Sequence, residues 1–428
     1  MFSIKSDKRS KRYCDGKSRR NFLQVGALGV GGLTLGGLYR AEADAGLGSS
    51  EKAVINIHLA GGPSHQDTFD LKPEAAREFR GEFSPIQTNA PGMDICEHFP
   101  LLATSADKFA VVRSLTGSIA DHSDYPTQTG FPRSDLQGIG GRPALGSVAA
   151  RLLGSRRGAP PFIGYNGTYP GYLGAVYKPY RPQGGDLRLS KTMTAERMQS
   201  RSELLSSLDC LKREADNSGQ MEALDSYTQR AVDVVTSGRV ADAIDLGKED
   251  AKIRERYGKD GNMFLTARRL VEAGVLFTCV YMESKGTGHW DSHGRIFPHL
   301  KNNLLPVLDR VYPALIQDLE ERRLLDSTLV IVMGEMGRTP RVNVEAGRHH
   351  WPQCGFSLLT GGGVKQGHIY GKSDNHAGFP VEDKVSGGDI VATIYKLLGV
   401  DPQLHVPDLR GRPIHVAHGG RPVDGVIA

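Results

Sequence analysis

Five short apolar runs, each breaking off at glycines or charged and polar side chains, limit the architectures open to this chain. Val54–Ala60 runs into Gly61-Gly62-Pro63-Ser64-His65-Gln66-Asp67, and Phe109–Val112 into Arg113-Ser114 and then Asp121-His122-Ser123-Asp124. Val275–Met282 precedes Gly286-Thr287-Gly288-His289-Trp290-Asp291-Ser292-His293. Thr328–Met333 ends in Gly334-Glu335-Met336-Gly337-Arg338, and Phe356–Leu359 runs into Gly361-Gly362-Gly363. Apolar runs of four to eight residues bounded by turn residues fit buried strands.

Between them lie helical patterns. Phe297, Leu300, Leu304, Leu308, Val311, Leu315 and Leu319 recur at three- and four-residue spacing and give one apolar face. Pro306 and Pro313 interrupt it, which predicts a kink or two shorter helices. Met263–Ala273 and Asp389–Leu398 are further candidates. Strands alternating with helices predict an α/β fold, a mostly parallel sheet with helices on both faces. The stretch 192–258 is polar and helix-prone and reads as a helical excursion on one domain spanning 46–428. Residues 154–185, rich in Gly, Pro and Tyr, read as a long ordered loop region. Glycine makes up 53 of 428 residues, and without a Gly-X-Y period that excess implies many tight turns.

The formal charge of +5 is local. Residues 1–43 hold nine Lys/Arg and three Asp/Glu, so the remaining chain carries −1 and has no electrostatic footprint for nucleic acid. The basic stretch ends in Ser18-Arg19-Arg20-Asn21-Phe22-Leu23, followed by a glycine-rich apolar run over Val25–Leu38 and by Ala41-Glu42-Ala43-Asp44-Ala45. That order is a secretory signal, and its paired arginines resemble the twin-arginine type. Residues 1–45 are therefore expected to direct export to a periplasmic or extracellular compartment; an uncleaved membrane anchor is the alternative. No later segment has the length and apolarity of a membrane span. Cys96, Cys210, Cys279 and Cys354 are widely spaced with no C-x-x-C pair, which allows one or two disulfides and argues against a zinc knuckle or redox motif. Oligomeric state is not legible.

In open α/β sheets, ligands bind outside the carboxyl ends of the strands, where four of these His/Asp/Glu clusters fall. A further cluster, Gly347-Arg348-His349-His350-Trp351-Pro352, precedes the fifth strand. Asp291 and His293, two apart in an extended segment, project to one side and suit a metal ion. The competing reading has Asp291 or Ser292 capping a helix and His293 solvated. Glu335 is a second donor or the ion-pair partner of Arg338. Of the neighbours His349 and His350, whose side chains diverge, His350 is the expected ligand. His65 and Asp67 form another candidate pair, or serve turn and cap chemistry. His122, Ser123, Asp124 and Thr127 can supply a nucleophile or an orienting imidazole.

Together these segments resemble a bacterial family of exported proteins of unknown function within the alkaline phosphatase and sulfatase superfamily. The motifs are Gly61-Gly62-Pro63-Ser64-His65-x-Asp67, Val112-Arg113-Ser114-Leu115, Ala267–Gly274, Trp290-Asp291-Ser292-His293, Gly334-Glu335-Met336-Gly337-Arg338-Thr339-Pro340 and Gly347–Pro352. The resemblance implies an alkaline-phosphatase-like core whose metal ligands fall near Asp67, the 122–127 loop, Asp291 with His293, Glu335 and His350. Departures are the Gly61-Gly62 pair where the superfamily carries an Asp, Glu335-Met336 in place of Asp-His, and the absent sulfatase nucleophile motif.

The expected function is a metal-dependent hydrolase of phosphate or sulfate esters, using one or two divalent ions, zinc or manganese rather than calcium. Asp291, His293 and His350 would hold one ion, and Glu335 with His65 or Asp67 a second. Arg338 or Arg113 would bind the anionic ester, with Ser123 and His122 in the catalytic loop and attack by water as the alternative to Ser123. The competing class is a catalytically inactive envelope protein whose cleft binds a partner or an anionic glycan. A purely structural domain is the third.

Overall fold

All five apolar runs are strands of a single sheet. The computed structural model describes residues 51–164, 169–182, 193–208, 232, 235–282 and 289–428. The expected export signal lies outside them. In chain order the sheet comprises β1 (Ala53–His58), β2 (Phe109–Thr116), β3 (Phe162–Gly164), β4 (Phe277–Tyr281), β5 (Thr328–Met333), β6 (Gly355–Thr360), β7 (His368–Tyr370) and β8 (Val385–Ser386). Across the sheet the order is β7-β2-β6-β5-β1-β4-β3, with β8 also paired to β2. Every pairing is parallel except those of β6, which runs antiparallel to both β2 and β5.

Packing on both faces explains why the strands read as continuous apolar runs. Among the helices are α1 (Tyr125–Thr129), α2 (Leu145–Leu153), α3 (Ala251–Tyr257), α4 (Asn262–Glu272), α5 (Leu305–Glu321) and α6 (Gly387–Leu398). Ile55, Ile57, Val330 and Val332 pack into one core with Phe264 and Leu265 of α4 and Leu305, Leu308 and Leu315 of α5. The alternate residues Val54, Leu329, Ile331 and Cys279 join Leu145 and Val148 of α2 and Ile390, Val391 and Ile394 of α6. Successive strand side chains point to opposite faces, so a sheet covered twice needs apolar residues at every position. Burying each Val, Leu or Ile contributes roughly 1.5–3 kcal/mol.

Local chemistry sets the helix ends. Ser386 and Asp389 cap α6 reciprocally, and Gly399 closes it in the left-handed conformation. The expected proline break falls at Pro306: a short helix, Ile296–His299, passes through a π-turn at Leu300–Leu304 into α5, which continues through Pro313. In the 154–185 stretch the structure adds the edge strand β3, too short to register as an apolar run.

Three helical segments are tied by a buried ion cluster. Arg268 of α4, fully buried, donates to Asp318 of α5 (2.7 Å), to Glu272 (2.7 Å) and to Glu249 ahead of α3. Arg322 reaches Asp318 (2.8 Å) and Arg269 reaches Glu249 (2.8 Å). Burial opposes ionisation of Glu249, but the hydrogen bonds from Arg269 and Arg268 outweigh it and hold the carboxyl at about 2.

Cys96, Cys279 and Cys354 are buried, free thiols, each pushed up to about 12 by burial. Among the described residues there is thus no disulfide; Cys210 lies outside them. No helix of the described residues is long and apolar enough to cross a membrane.

Candidate metal centre

Register brings the site together. His58 at the end of β1 lies level with Met333 of β5 and Tyr281 of β4, so the segments that follow emerge side by side. Trp290 N–H then donates to Ala60 O (2.7 Å), laying the 290–293 segment across the end of β1. Gly61, at φ +109°, makes this approach possible, because a Cβ there would collide with the backbone of Trp290 and Asp291. Beyond β5, Gly337 and Arg338 pair with Trp351 and His350 in a two-residue antiparallel ladder. Asn343 Nδ2 donates to His293 O (2.7 Å) and Arg348 N–H to Ser292 O (3.0 Å), drawing that loop onto the 290–293 segment. The loop after β2 is anchored by Ser118 Oγ, which donates to Glu335 O.

Four side chains converge there. One donor atom each from His122, Asp291, His293 and His350 lies within 4.8 Å of all the others. His293 Nε2 is 3.0 Å from His350 Nε2 and 3.1 Å from Asp291 Oδ1. His122 Nε2 is 3.2 Å from Asp291 Oδ2, and His350 Nε2 is 3.5 Å from Asp291 Oδ1. Tetrahedral donors about 2.0–2.1 Å from one zinc ion are about 3.3 Å apart, so the spacings of 3.0–3.5 Å are near the edges of such a cage, while the widest, up to 4.8 Å, would close on an ion by side-chain rotation. The donor set fits a divalent ion by chemistry as well as by spacing.

Proton placement supports that fit. His122 Nδ1 faces Glu335 Oε1 at 3.1 Å and its Nε2 faces Asp291 Oδ2 at 3.2 Å; with a cation between Nε2 and Asp291, the ring proton sits on Nδ1 and is donated to Glu335. His293 Nδ1 lies 3.0 Å from His349 Nδ1, an acceptor for its proton when Nε2 holds an ion. Arg338 Nη2 donates to Asp291 Oδ1 at 2.7 Å. Burial opposes ionisation of Asp291, but the hydrogen bond and charge of Arg338, aided by His122 and His293, hold its carboxyl below the usual range. Burial lowers the pKa of both His293 and His350, aided by the neighbouring Arg338 and imidazoles. Both rings are therefore neutral near neutral pH, as metal ligation would require. Solvent reaches one side: 41% of the His122 and 43% of the His293 side-chain surface is exposed, against 1% for Glu335 beneath them.

A family model described as "Protein of unknown function (DUF1501)" matches residues 51–427. The chain belongs to the DUF1501 family. No curated protein sequence matches it. Solved structures that resemble this DUF1501 chain include a sulfatase from Pseudoalteromonas sp., 12% identical over 84% of this chain and 70% of that one, with a TM-score of 0.36. A phosphonate monoester hydrolase from Silicibacter pomeroyi is 12% identical over 88% and 78%, at 0.34. A lipoteichoic acid synthase from Listeria monocytogenes is 10% identical over 87% and 77%, at 0.34. Likeness this loose carries no activity across.

Other residues singled out in the DUF1501 sequence sit differently. His122, read as catalytic, stands among the metal donors. Glu335 is not one of the four donors; it accepts from Gly61 N–H (2.8 Å) and holds His122. Asp67 is withdrawn from the metal set: fully buried, it takes a two-pronged ion pair from Arg348 (2.8 and 3.0 Å) and a hydrogen bond from Ser64 Oγ. His65 is withdrawn too, because it is wholly buried with Nε2 on Ala377 O (2.7 Å), and burial keeps it neutral. Arg338 is not an anion receptor: it is fully buried and spends its donors on Gly61 O, Gly62 O, Arg348 O and Asp291. Arg113 donates to Asp94 O (3.0 Å). Ser123 Oγ accepts from Tyr125 N–H (3.2 Å) at the start of α1, a turn role.

The sequence reading passed over His349, Arg348 and His58. Arg348 and His349 stood beside the favoured His350, whereas His58 sits in an apolar strand, where a lone imidazole reads as core. Its only signal is position, the last residue of a central parallel strand.

Proposed function

We propose that this protein is an exported, metal-dependent hydrolase of phosphate or sulfate esters, with an alkaline-phosphatase-like core and its centre at His122, Asp291, His293 and His350. The observation that carries this reading is the convergence of three imidazoles and one carboxylate on one solvent-facing point at the carboxyl edge of the sheet. A mixed His/carboxylate set suits zinc, then manganese. Bound there, the ion would act as a Lewis acid on an ester oxygen. The protein's own part is positional: Glu335 holds the Nδ1 proton of His122, His349 meets Nδ1 of His293, and Arg338 fixes Asp291. The order of sequence motifs supports the superfamily assignment, and Arg19-Arg20 before the apolar run supports the twin-arginine route.

One observation favours the second reading, an inactive envelope protein that binds a partner or an anionic glycan. Arg338 is enclosed by backbone carbonyls and Asp291, and Ser123 Oγ accepts from Tyr125 N–H at a turn, so the expected anion receptor is already spent and the expected nucleophile serves the turn. The deciding experiment measures hydrolysis of p-nitrophenyl phosphate, p-nitrophenyl sulfate and a phenylphosphonate monoester by zinc- and manganese-loaded protein. Turnover lost in His350→Ala supports the hydrolase. Stoichiometric metal without turnover on any of them supports the binding protein.

A further inference from the structure

A line of buried polar groups runs inward from the metal centre. Glu335 spends Oε1 on His122 Nδ1 and Gly61 N–H, while its Oε2, also buried, has no hydrogen-bond partner among the described residues. A buried carboxylate oxygen left so is costly unless a donor or positive charge stands near. His58 Nε2 stands 3.7 Å from it. The His58 ring is itself fixed: Nδ1 lies 2.9 Å from Thr127 Oγ1, and the Tyr281 ring packs at 4.8 Å. His58 and Thr127 are both 2% exposed.

Hydrogen placement gives this line a direction. Thr127 Oγ1 has one hydrogen and two candidate acceptors, Asp124 O at 2.9 Å and His58 Nδ1 at 2.9 Å. If the hydrogen goes to Asp124 O, a neutral His58 turns its Nε2 lone pair on the Glu335 carboxylate, which repels. If it goes to His58 Nδ1, then Nε2–H faces Oε2, which attracts. The second arrangement aligns Thr127, His58, Glu335 and His122 head to tail, with the 3.7 Å step from His58 to Glu335 an electrostatic contact longer than a hydrogen bond.

We propose that His58 is a positioning residue of the metal centre: through Glu335 it fixes the ring and tautomer of His122, and Thr127 fixes His58. The proposal rests on the metal-centre reading of the preceding subsection. Outer partners of metal-bound histidines are commonly worth about 10–100-fold in metal affinity. His58 acts one contact further out, so the low end, about tenfold, is expected here.

The test titrates wild type, His58→Leu, His58→Gln and Thr127→Val with cobalt(II), reading affinity by competition with a chelating dye and the visible absorption of the bound ion. His58→Leu should weaken cobalt binding about tenfold and change its visible bands. His58→Gln, which retains a side-chain N–H donor, should recover most of both, and Thr127→Val should fall between. A purely packing role for His58 gives no rescue by Gln, and that result overturns the proposal. So does wild-type affinity with unchanged bands in His58→Leu. Should His58→Leu fail to fold in a thermal melt, Thr127→Val decides, and wild-type binding by that variant overturns the proposal. No cobalt bound by wild type would instead overturn the metal centre, and this role with it.

Discussion

The Arg268 cluster and the His293 cluster are both knots of charged and imidazole side chains, yet they are balanced in opposite ways. Around Arg268, each guanidinium nitrogen of that residue meets a carboxylate, and Glu249 and Asp318 each receive more than one donor. Around His293, three imidazole nitrogens and a carboxylate converge on one point, with Glu335 at His122 Nδ1, His349 at His293 Nδ1 and Arg338 on Asp291 Oδ1. The first arrangement is complete as it stands and serves the fold. On the proposed metal-centre reading, the second is completed by a cation in its midst. Charge density alone does not mark a functional site; what marks it is a set of acceptors aimed at one another.

The largest effect should come from breaking the balanced cluster. Arg268→Met leaves Asp318 and Glu249 short of a buried partner and should destabilise the fold by about 3–5 kcal/mol in urea unfolding. Zinc affinity of the folded variant should stay at the wild-type value. A loss of zinc binding at full stability would erase the distinction between the clusters.

A pH series sharpens the same point. The Glu249 carboxyl is depressed from its ordinary 4.5 to about 2. Its stabilising contribution, about 3 kcal/mol, is therefore complete above pH 4.5 and lost as pH falls toward 2. Urea midpoints between pH 5 and pH 3 should fall more steeply for wild type than for Arg268→Met. Parallel slopes would contradict the ion-pair account of Glu249.

Reversing the logic at the other cluster, His350→Ala should weaken zinc binding by more than the roughly 10–100-fold that outer partners contribute, because His350 is a direct donor in the proposed centre. Metal-free stability should change by less than about 1 kcal/mol, because the ring is partly exposed. His349→Ala should have the smaller effect, about tenfold in zinc affinity by competition titration, since it touches the ion only through His293.

The fold was legible because burial on both faces writes itself into sequence as unbroken apolar runs. Thr328–Met333 was read to the residue. The direction of β6 was not, since an apolar run carries no sign for parallel or antiparallel pairing. In the site, Asp291, His293 and His350 stood out because each lies in a polar cluster next to a strand. Asp67 and His65 looked the same, and only the fold reveals their partners Arg348 and Ala377, 281 and 312 residues away. Arg338 was misjudged for a related reason: a sequence shows a cation beside a site but not whether backbone carbonyls already enclose it.

Anomalous X-ray diffraction from zinc-loaded crystals tests the central claim most directly. The account predicts a strong zinc peak bounded by His122 Nε2, His293 Nε2, His350 Nε2 and Asp291, each donor about 2.0–2.2 Å from the ion. No peak there at saturating zinc, or an ion held by other side chains, would contradict it.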